Sequence, residues 1–213
     1  MAGQTRQRLI AAVLDTVRDV GVAGVSARVV AARAEVNQAL VFYHFGSVDN
    51  LLAEACRFET TRRVADYRDT FAAVRSLREL LRMGRELHAE ERAKGNVTVL
   101  AQMLAASHGN PELRTATGDA LQLWVTEIES VLRRVLAAGP LDGLLDPAAL
   151  AHSVSAAFVG LELFEAVHPE GSERALDELD RLGVIAETID KLGPVARRAI
   201  RARLTRQARQ LTR

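Results

Sequence analysis

The chain has 213 residues, 48% of them hydrophobic and 26% charged, with a formal net charge of +1. That composition excludes a disordered chain and leaves room for one helical domain or a small domain attached to a larger one. A single cysteine, Cys56, excludes an internal disulfide and suits a reducing cytoplasm. No stretch reads as a secretory leader, because Arg6 and Arg8 lead into an amphipathic run broken by Asp15. The most apolar stretch, residues 148–164, contains His152 and Glu162, which argues against a membrane span.

The elements follow in chain order. Ile10, Val13, Leu14 and Val17 fall at i, i+3, i+4 and i+7, one stripe of a helix that stops near Gly21. Ser26 is an N-cap for a helix through Ala34; Glu35 and Val36 form a turn, and Asn37 caps the next helix. Ser47 caps a long helix that begins with Leu51, Ala55 and Phe58 and runs towards Phe71. Further helices are predicted over about 75–92 and 97–107. Asn110-Pro111 opens another, through Trp124 and Ile128, which stops near Gly139-Pro140. Asp146-Pro147 opens the helix over 148–167, Ser172 precedes one to about Leu192, and Gly193-Pro194 opens the last. No strand-like alternation of any length interrupts them, so the expected fold is all-α with roughly ten helices.

Charge is unevenly distributed. Residues 1–45 carry five arginines against three acids, and residues 191–213 carry eight basic residues and no acid. The middle is correspondingly acidic, as suits a protein that touches nucleic acid with only one part.

The first three helices carry the sharpest functional signal. Val30, Ala31, Val36, Val41 and Phe45 are spaced to form the core where two short helices cross around a tight turn. That leaves Arg28, Asn37, Gln38, Ala39, Leu40, Phe42, Tyr43 and His44 for the outer face. In a helix-turn-helix the second helix enters the DNA major groove with its N-terminal residues against base edges. Gln38 can pair bidentately with adenine, Ala39 or Leu40 can meet a thymine methyl, and Tyr43 and His44 can reach phosphate oxygens. The helix N-terminus at Ser47 offers a further phosphate site. In the plainer reading this is an ordinary helical hairpin with Phe42 and Phe45 in its core; burying Tyr43 and His44 beside them would leave two polar tips in need of partners.

Ser26, Ala34, Val36, Phe42-Tyr43-His44-Phe45, Ser47, Leu51 and Ala55 together resemble the N-terminal DNA-binding domain of the TetR (tetracycline repressor-like) family of bacterial transcriptional regulators, over about residues 9–58. Four positions depart from the family pattern: Glu35 stands at the turn glycine, Leu40 at a common threonine, Phe42 at a frequent tyrosine and Val48 at a lysine. A positive φ at Glu35 would be strained, and Phe42 and Val48 remove a hydroxyl and a charge that would meet phosphates, so the four departures together lead to an expectation of weaker non-specific DNA affinity and an operator unlike the family's common ones.

The resemblance implies a DNA-binding domain over 1–46 and a ligand-sensing and dimerisation domain over 47–213, joined by the helix from residue 47. It implies a cytoplasmic homodimer that binds a palindromic double-stranded DNA operator as a repressor and is released by a small-molecule effector. The sequence itself supplies candidates for each part. Ala149, Ser153, Ala156, Ala157 and Gly160 are small residues that admit a close helix neighbour, and Leu176, Leu179, Leu182, Ile185 and Ile189 form a stripe on the next helix. His88, Leu100, Met103, Leu104, Trp124, Ile128 and Phe158 lie on helices that would enclose an effector pocket, although core packing accounts for each of them singly. Ala196, Ile200, Leu204, Ala208 and Leu211 make one stripe of the arginine-rich last helix, whose arginines stay wet, dock on the acidic body, meet further phosphates or, as the weakest option, attach to an anionic membrane surface.

Nothing in the sequence supports catalysis, a cofactor or a metal site. The histidines lack metal-ligand spacing, and there is no Gly-rich phosphate loop or nucleophile elbow. The rival to a regulator is a small-molecule-binding or protein-interaction module that retains a degenerate helix-turn-helix, with no membrane partner in either reading.

Overall fold

The computed structural model describes residues 2–137, 139 and 141–211. Pro140 and Arg213 lie outside the described residues, as do the side chains of Ala208, Arg209 and Leu211. The described residues form ten α-helices and no strand: α1 (Ala2–Val20), α2 (Ala27–Arg33), α3 (Ala39–Phe45), α4 (Val48–Ala73), α5 (Leu77–Ala93), α6 (Asn96–Ser107), α7 (Pro111–Ala137), α8 (Pro147–Glu165), α9 (Pro169–Asp190) and α10 (Pro194–Leu211). A short 3-10 turn, Val22–Gly24, links α1 to α2.

Side-chain caps set most of the boundaries. Ser26 Oγ accepts from Val29 N at 3.3 Å, Ser47 Oγ from Asn50 N at 3.0 Å, and Asn110 Oδ1 from Glu112 N and Leu113 N at 3.0 and 3.1 Å. Asp146 Oδ1 accepts from Ala148 N at 3.0 Å, with Pro147 in the first turn, where its missing N–H costs nothing. Ser76 and Glu79 cap α5 reciprocally: Ser76 Oγ accepts from Glu79 N at 3.1 Å, and Glu79 Oε2 accepts from Arg75 N at 2.6 Å. One start differs from expectation. α9 begins at Pro169, three residues before Ser172, because His168 Nδ1 accepts from Gly171 N at 3.0 Å and takes the capping role. Ser172 is instead buried inside the helix.

The chain divides into two compact units, Met1–Asp66 with Ala89–Leu123, and Tyr67–His88 with Trp124–Arg213. This division by packing differs from the functional division expected after residue 46. The first unit is built on α1, whose Leu9, Val13 and Val17 are fully buried against Val30 of α2, Val41 of α3 and Leu51 of α4. Met103 of α6 and Leu113 of α7 complete that core. Each such aliphatic side chain contributes about 1.5–3 kcal/mol when fully buried.

The second unit packs Phe71 and Val74 against Val125, Leu132 and Ala151. Trp124 lies tilted against the rings of Tyr67 and Phe71, with centroids 5.9 and 6.2 Å apart. Arg134 donates to the carbonyls of Phe71 and Val74 at 2.9 and 3.1 Å, closing the C-terminal end of α4 with a cation. α9 lies close to α5, because a Cβ on Gly183 would stand 3.3 Å from Arg78 Cα. Arg85 bridges the same two helices to Asp177 and Asp180, at 2.8 and 2.5 Å. α8 is long and apolar enough to cross a membrane by length and composition, yet its most apolar window is only 11% buried.

Among the described residues Glu35 is the one non-glycine residue with positive φ, at 52°. Its Cβ crowds the adjoining carbonyl there, at a cost of about 1–2 kcal/mol. Its carboxylate sits mostly in water, 3.5 Å from Arg8, and compensates little. Glu35→Gly is therefore expected to raise stability by about 0.5–1 kcal/mol after the extra chain entropy of glycine is counted. Urea unfolding should show a higher midpoint at unchanged slope; a lower midpoint would mean that the Arg8 interactions outweigh the strain.

Candidate nucleic-acid interface

The α2–turn–α3 unit is held from inside. Val30, Ala31, Val41 and Phe45 are buried, and Val36 packs partly against them. Asn37 Oδ1 accepts from Ala39 N at 2.8 Å, so the asparagine starts α3 as its sequence position predicts. Gly46 ends the helix at φ 75°, donating its N–H to Phe42 O at 2.9 Å.

With Val41 and Phe45 turned inward, the other side of α3 faces water. Arg28, Asn37, Gln38 and Ala39 are exposed, Tyr43 is 79% exposed and Phe42 49%. His44 and Ser47 are half-buried. Leu40 is half-buried as well and packs against the core, so it offers only part of its side chain to a partner. Tyr43 and His44 meet edge to face, 5.0 Å between centroids, which limits the freedom of both rings. A rigid helix thus presents an amide, a phenol and an imidazole outward. That arrangement can donate to and accept from base edges and phosphate oxygens.

Ion pairs decide which cations remain for phosphates. Arg6 pairs with Glu54, Arg8 with Glu35, Arg18 with Asp15 and Arg33 with Asp19. Of the five arginines before residue 46, only Arg28 has no such partner among the described residues. Arg6 has a second task that sequence reasoning missed: its guanidinium lies 5.6 Å from the Phe45 ring centroid while it pairs with Glu54, tying α1, α3 and α4 together. The same residues, with His44, Asn50, Arg57, Phe58, Thr61 and Arg62, line an open cleft of about 700 Å³ beside the end of α3.

The departures from the expected pattern have local explanations. Val48 packs against the first core, where a lysine would have to reach past it to water. Ser47 Oγ is engaged in capping, and Asp49 follows in the first turn of α4, adding negative charge where a phosphate would dock.

The candidate pocket residues fall in both units. Leu100, Met103 and Leu104 belong to the first, with Met103 buried in its core. His88, Trp124, Ile128 and Phe158 belong to the second. His88 is 3% exposed, with Nε2 2.7 Å from Glu165 Oε2 and Nδ1 3.7 Å from Glu162 Oε1. Neither ring nitrogen makes a hydrogen bond, the Glu162 carboxylate lying too far away for one. The Phe158 ring meets His88 edge-on at 6.0 Å. Sequence reasoning misses Glu162 and Glu165 as partners of this histidine, though an acid inside so apolar a helix is the available signal. Burial pushes the Cys56 thiol up from its ordinary value, against the smaller effects of Arg57 and a hydrogen bond from Thr117, which keeps it protonated and unreactive. Among the described residues no group of three or more potential ligands is placed to hold a metal ion.

Comparison with known proteins places these observations. Residues 9–55 match the family model of bacterial regulatory proteins, tetR family. No curated protein sequence matches the chain. Among solved structures, a TetR-family transcriptional regulator from Rhodococcus sp. is similar at 23% identity and a TM-score of 0.70, over 86% of this chain and 98% of its own. A transcriptional regulator from Saccharomonospora viridis, in complex with choline, is 22% identical with a TM-score of 0.69, over 84% and 95%. FadR from Bacillus subtilis, in complex with stearoyl-CoA, shares the fold at 12% identity and a TM-score of 0.69, over 81% and 96%. At these identities the structures show a common fold, while the family match rests on the helix-turn-helix region. Residues 9–55 therefore form a domain of the kind found in the bacterial regulatory proteins of the tetR family.

Proposed function

We propose that the chain is a transcriptional repressor of the cytoplasm that binds a palindromic operator as a homodimer and is released by a small-molecule effector. The observation that carries this reading is the outward face of α3. Tyr43 at 79% and Phe42 at 49% exposure are large rings kept in water on a rigid, capped helix, which has a use only if a partner covers them. Gln38 and Ala39 at the start of that helix would read bases, and Arg28, Tyr43 and His44 would hold phosphates. In this reading residues 1–46 read DNA and residues 47–213 sense and dimerise.

The dimer is supported by α8 and α9. Ala149, Ser153, Ala156, Ala157 and Gly160 lie on α8 with little covering them. Leu163, Phe164, Leu179, Leu182 and Ile185 are between 39% and 56% exposed. Small residues beside large apolar ones form a surface on which the same two helices of a second copy can pack closely.

The effector site would use the interior of the second unit, with His88, Trp124, Ile128 and Phe158 as its candidate lining. The similar structures hold choline in one case and stearoyl-CoA in the other, so ligand chemistry does not follow from this fold. Whatever the effector, it releases DNA only by binding the non-operator conformation more tightly.

Selection from a random duplex pool at moderate salt should recover a two-fold-symmetric site. Gln38→Ala should bind it about tenfold or more weakly and lose preference at one position of each half-site, from the roughly 1–3 kcal/mol of a bidentate base contact. Recovery of no symmetric site would instead favour an interaction module with a degenerate helix-turn-helix, the reading that the ion-paired arginines of the head support.

A paired substitution, Leu182→Asp with Ile185→Asp, should convert a dimer to a folded monomer in sedimentation velocity, because two carboxylates cannot be buried unpaired at an interface. A wild-type chain that sediments as a monomer at tens of micromolar would sink the dimer.

A further inference from the structure

The reading head does not account for the chain's most concentrated charge. Residues 191–213 hold eight basic residues and no acid. Seven of the eight are arginine, whose planar fork matches phosphate oxygens better than an ammonium does. Before α10 most arginines meet a partner: Arg57 pairs with Asp119, Arg63 with Glu91, and Arg85 with Asp177 and Asp180, while Arg75, Arg114 and Arg134 donate to backbone carbonyls. On α10 the pattern breaks. Arg201 reaches Asp142, at 2.9 Å to its carbonyl and 3.3 Å to its carboxylate. Arg197, Arg198, Arg203 and Arg206 have no ion pair or hydrogen bond among the described residues, and Nε of Arg197 is shielded from water without a partner.

Two kinds of polyanion would take such a helix, an anionic membrane or a nucleic acid, and the helix's other face separates them. Lying in a bilayer surface requires a free apolar face with large side chains. Here Ala196, Ile200 and Leu204 are half-buried, and residues 191–213 contain no aromatic residue. The available surface is the arginine one. Arg198 to Arg206 span about 12 Å of helix axis, over which duplex DNA carries several phosphates.

We propose that α10 is a second nucleic-acid-binding surface, which engages the phosphate backbone of duplex DNA without regard to sequence. It would supply phosphate contacts that the head, with four of its five arginines already paired, provides sparingly. The proposal does not depend on operator recognition by α3.

The test uses the full chain, a duplex of arbitrary sequence about three helical turns long, and anisotropy titrations from low to moderate salt. Replacing Arg198, Arg203 and Arg206 with glutamine should flatten the plot of log affinity against log salt by about 0.9 for each phosphate that is no longer neutralised. Replacing the same three with lysine should keep most of the slope, which controls for any change in folding, with thermal melts run on both variants. Operator recognition is read on the two-fold-symmetric site and the α10 surface on arbitrary duplex, so failure of the one and failure of the other are told apart. An unchanged slope in the glutamine variant overturns the proposal. So does a glutamine variant that binds DNA normally yet no longer co-sediments with phosphatidylglycerol-containing vesicles, which would assign the helix to a membrane surface.

Discussion

α3 has seven residues, well short of the roughly 12–15 at which an isolated helix begins to hold together in water. It exists because Val41 and Phe45 are buried against α1 and α2, and because Asn37 and Gly46 satisfy the backbone groups at its two ends. Everything proposed for its outer face depends on that burial. Were Val41 or Phe45 to come free, Gln38 and Tyr43 would be chain in water and no longer a surface. The fully buried stripe of α1 therefore acts on function without touching a ligand: it fixes which residues of α3 point outward. Arg6 extends the same constraint to the end of the helix, lying over Phe45 while held by Glu54.

Local rules make most of this fold legible in the sequence. Ser26, Asn37, Ser47, Asn110 and Asp146 cap where their side chains and the following hydrophobic period say they should, since a cap is decided within four residues of chain. The start of α9 escapes those rules because the cap is His168, a residue whose ring nitrogen serves only in one tautomer and carries no capping signature. The outward side of α3 is legible from the spacing of Val36, Val41 and Phe45. Leu40 is not, because a leucine one position from a buried valine can lean either way. Least legible are properties that join distant segments: the division into two packed units, and the approach of His88 on α5 to Glu162 and Glu165 on α8.

Charge shows the same limit. The sequence places five arginines among the first 45 residues, which reads as a basic head. The structure neutralises four of them with Glu54, Glu35, Asp15 and Asp19. Exposed pairs of this kind are worth little to stability, about 0–1 kcal/mol each. Their larger consequence is electrostatic, because each paired guanidinium would have to exchange a carboxylate for a phosphate before releasing a counterion from DNA. Unpaired arginines, Arg28 on α2 and the four on α10, carry no such cost. A count of charges along the chain cannot distinguish the two kinds.

α8 would suit a bilayer by length and composition, and most of its apolar surface faces outward. A lipid neighbour needs no particular shape, whereas α8 presents small residues, among them Ala149, Ser153, Ala156, Ala157 and Gly160, on an outer surface flanked by Leu163 and Phe164. Small residues lose area against fluid lipid and gain it only against a rigid surface that follows their contour. Ala151 and Glu162 on the same helix are buried within the unit, so the interior side of α8 is already assigned. In the proposed dimer a second copy would meet the exterior with an identical surface, and a two-fold axis would then relate two reading heads, as a palindromic site requires.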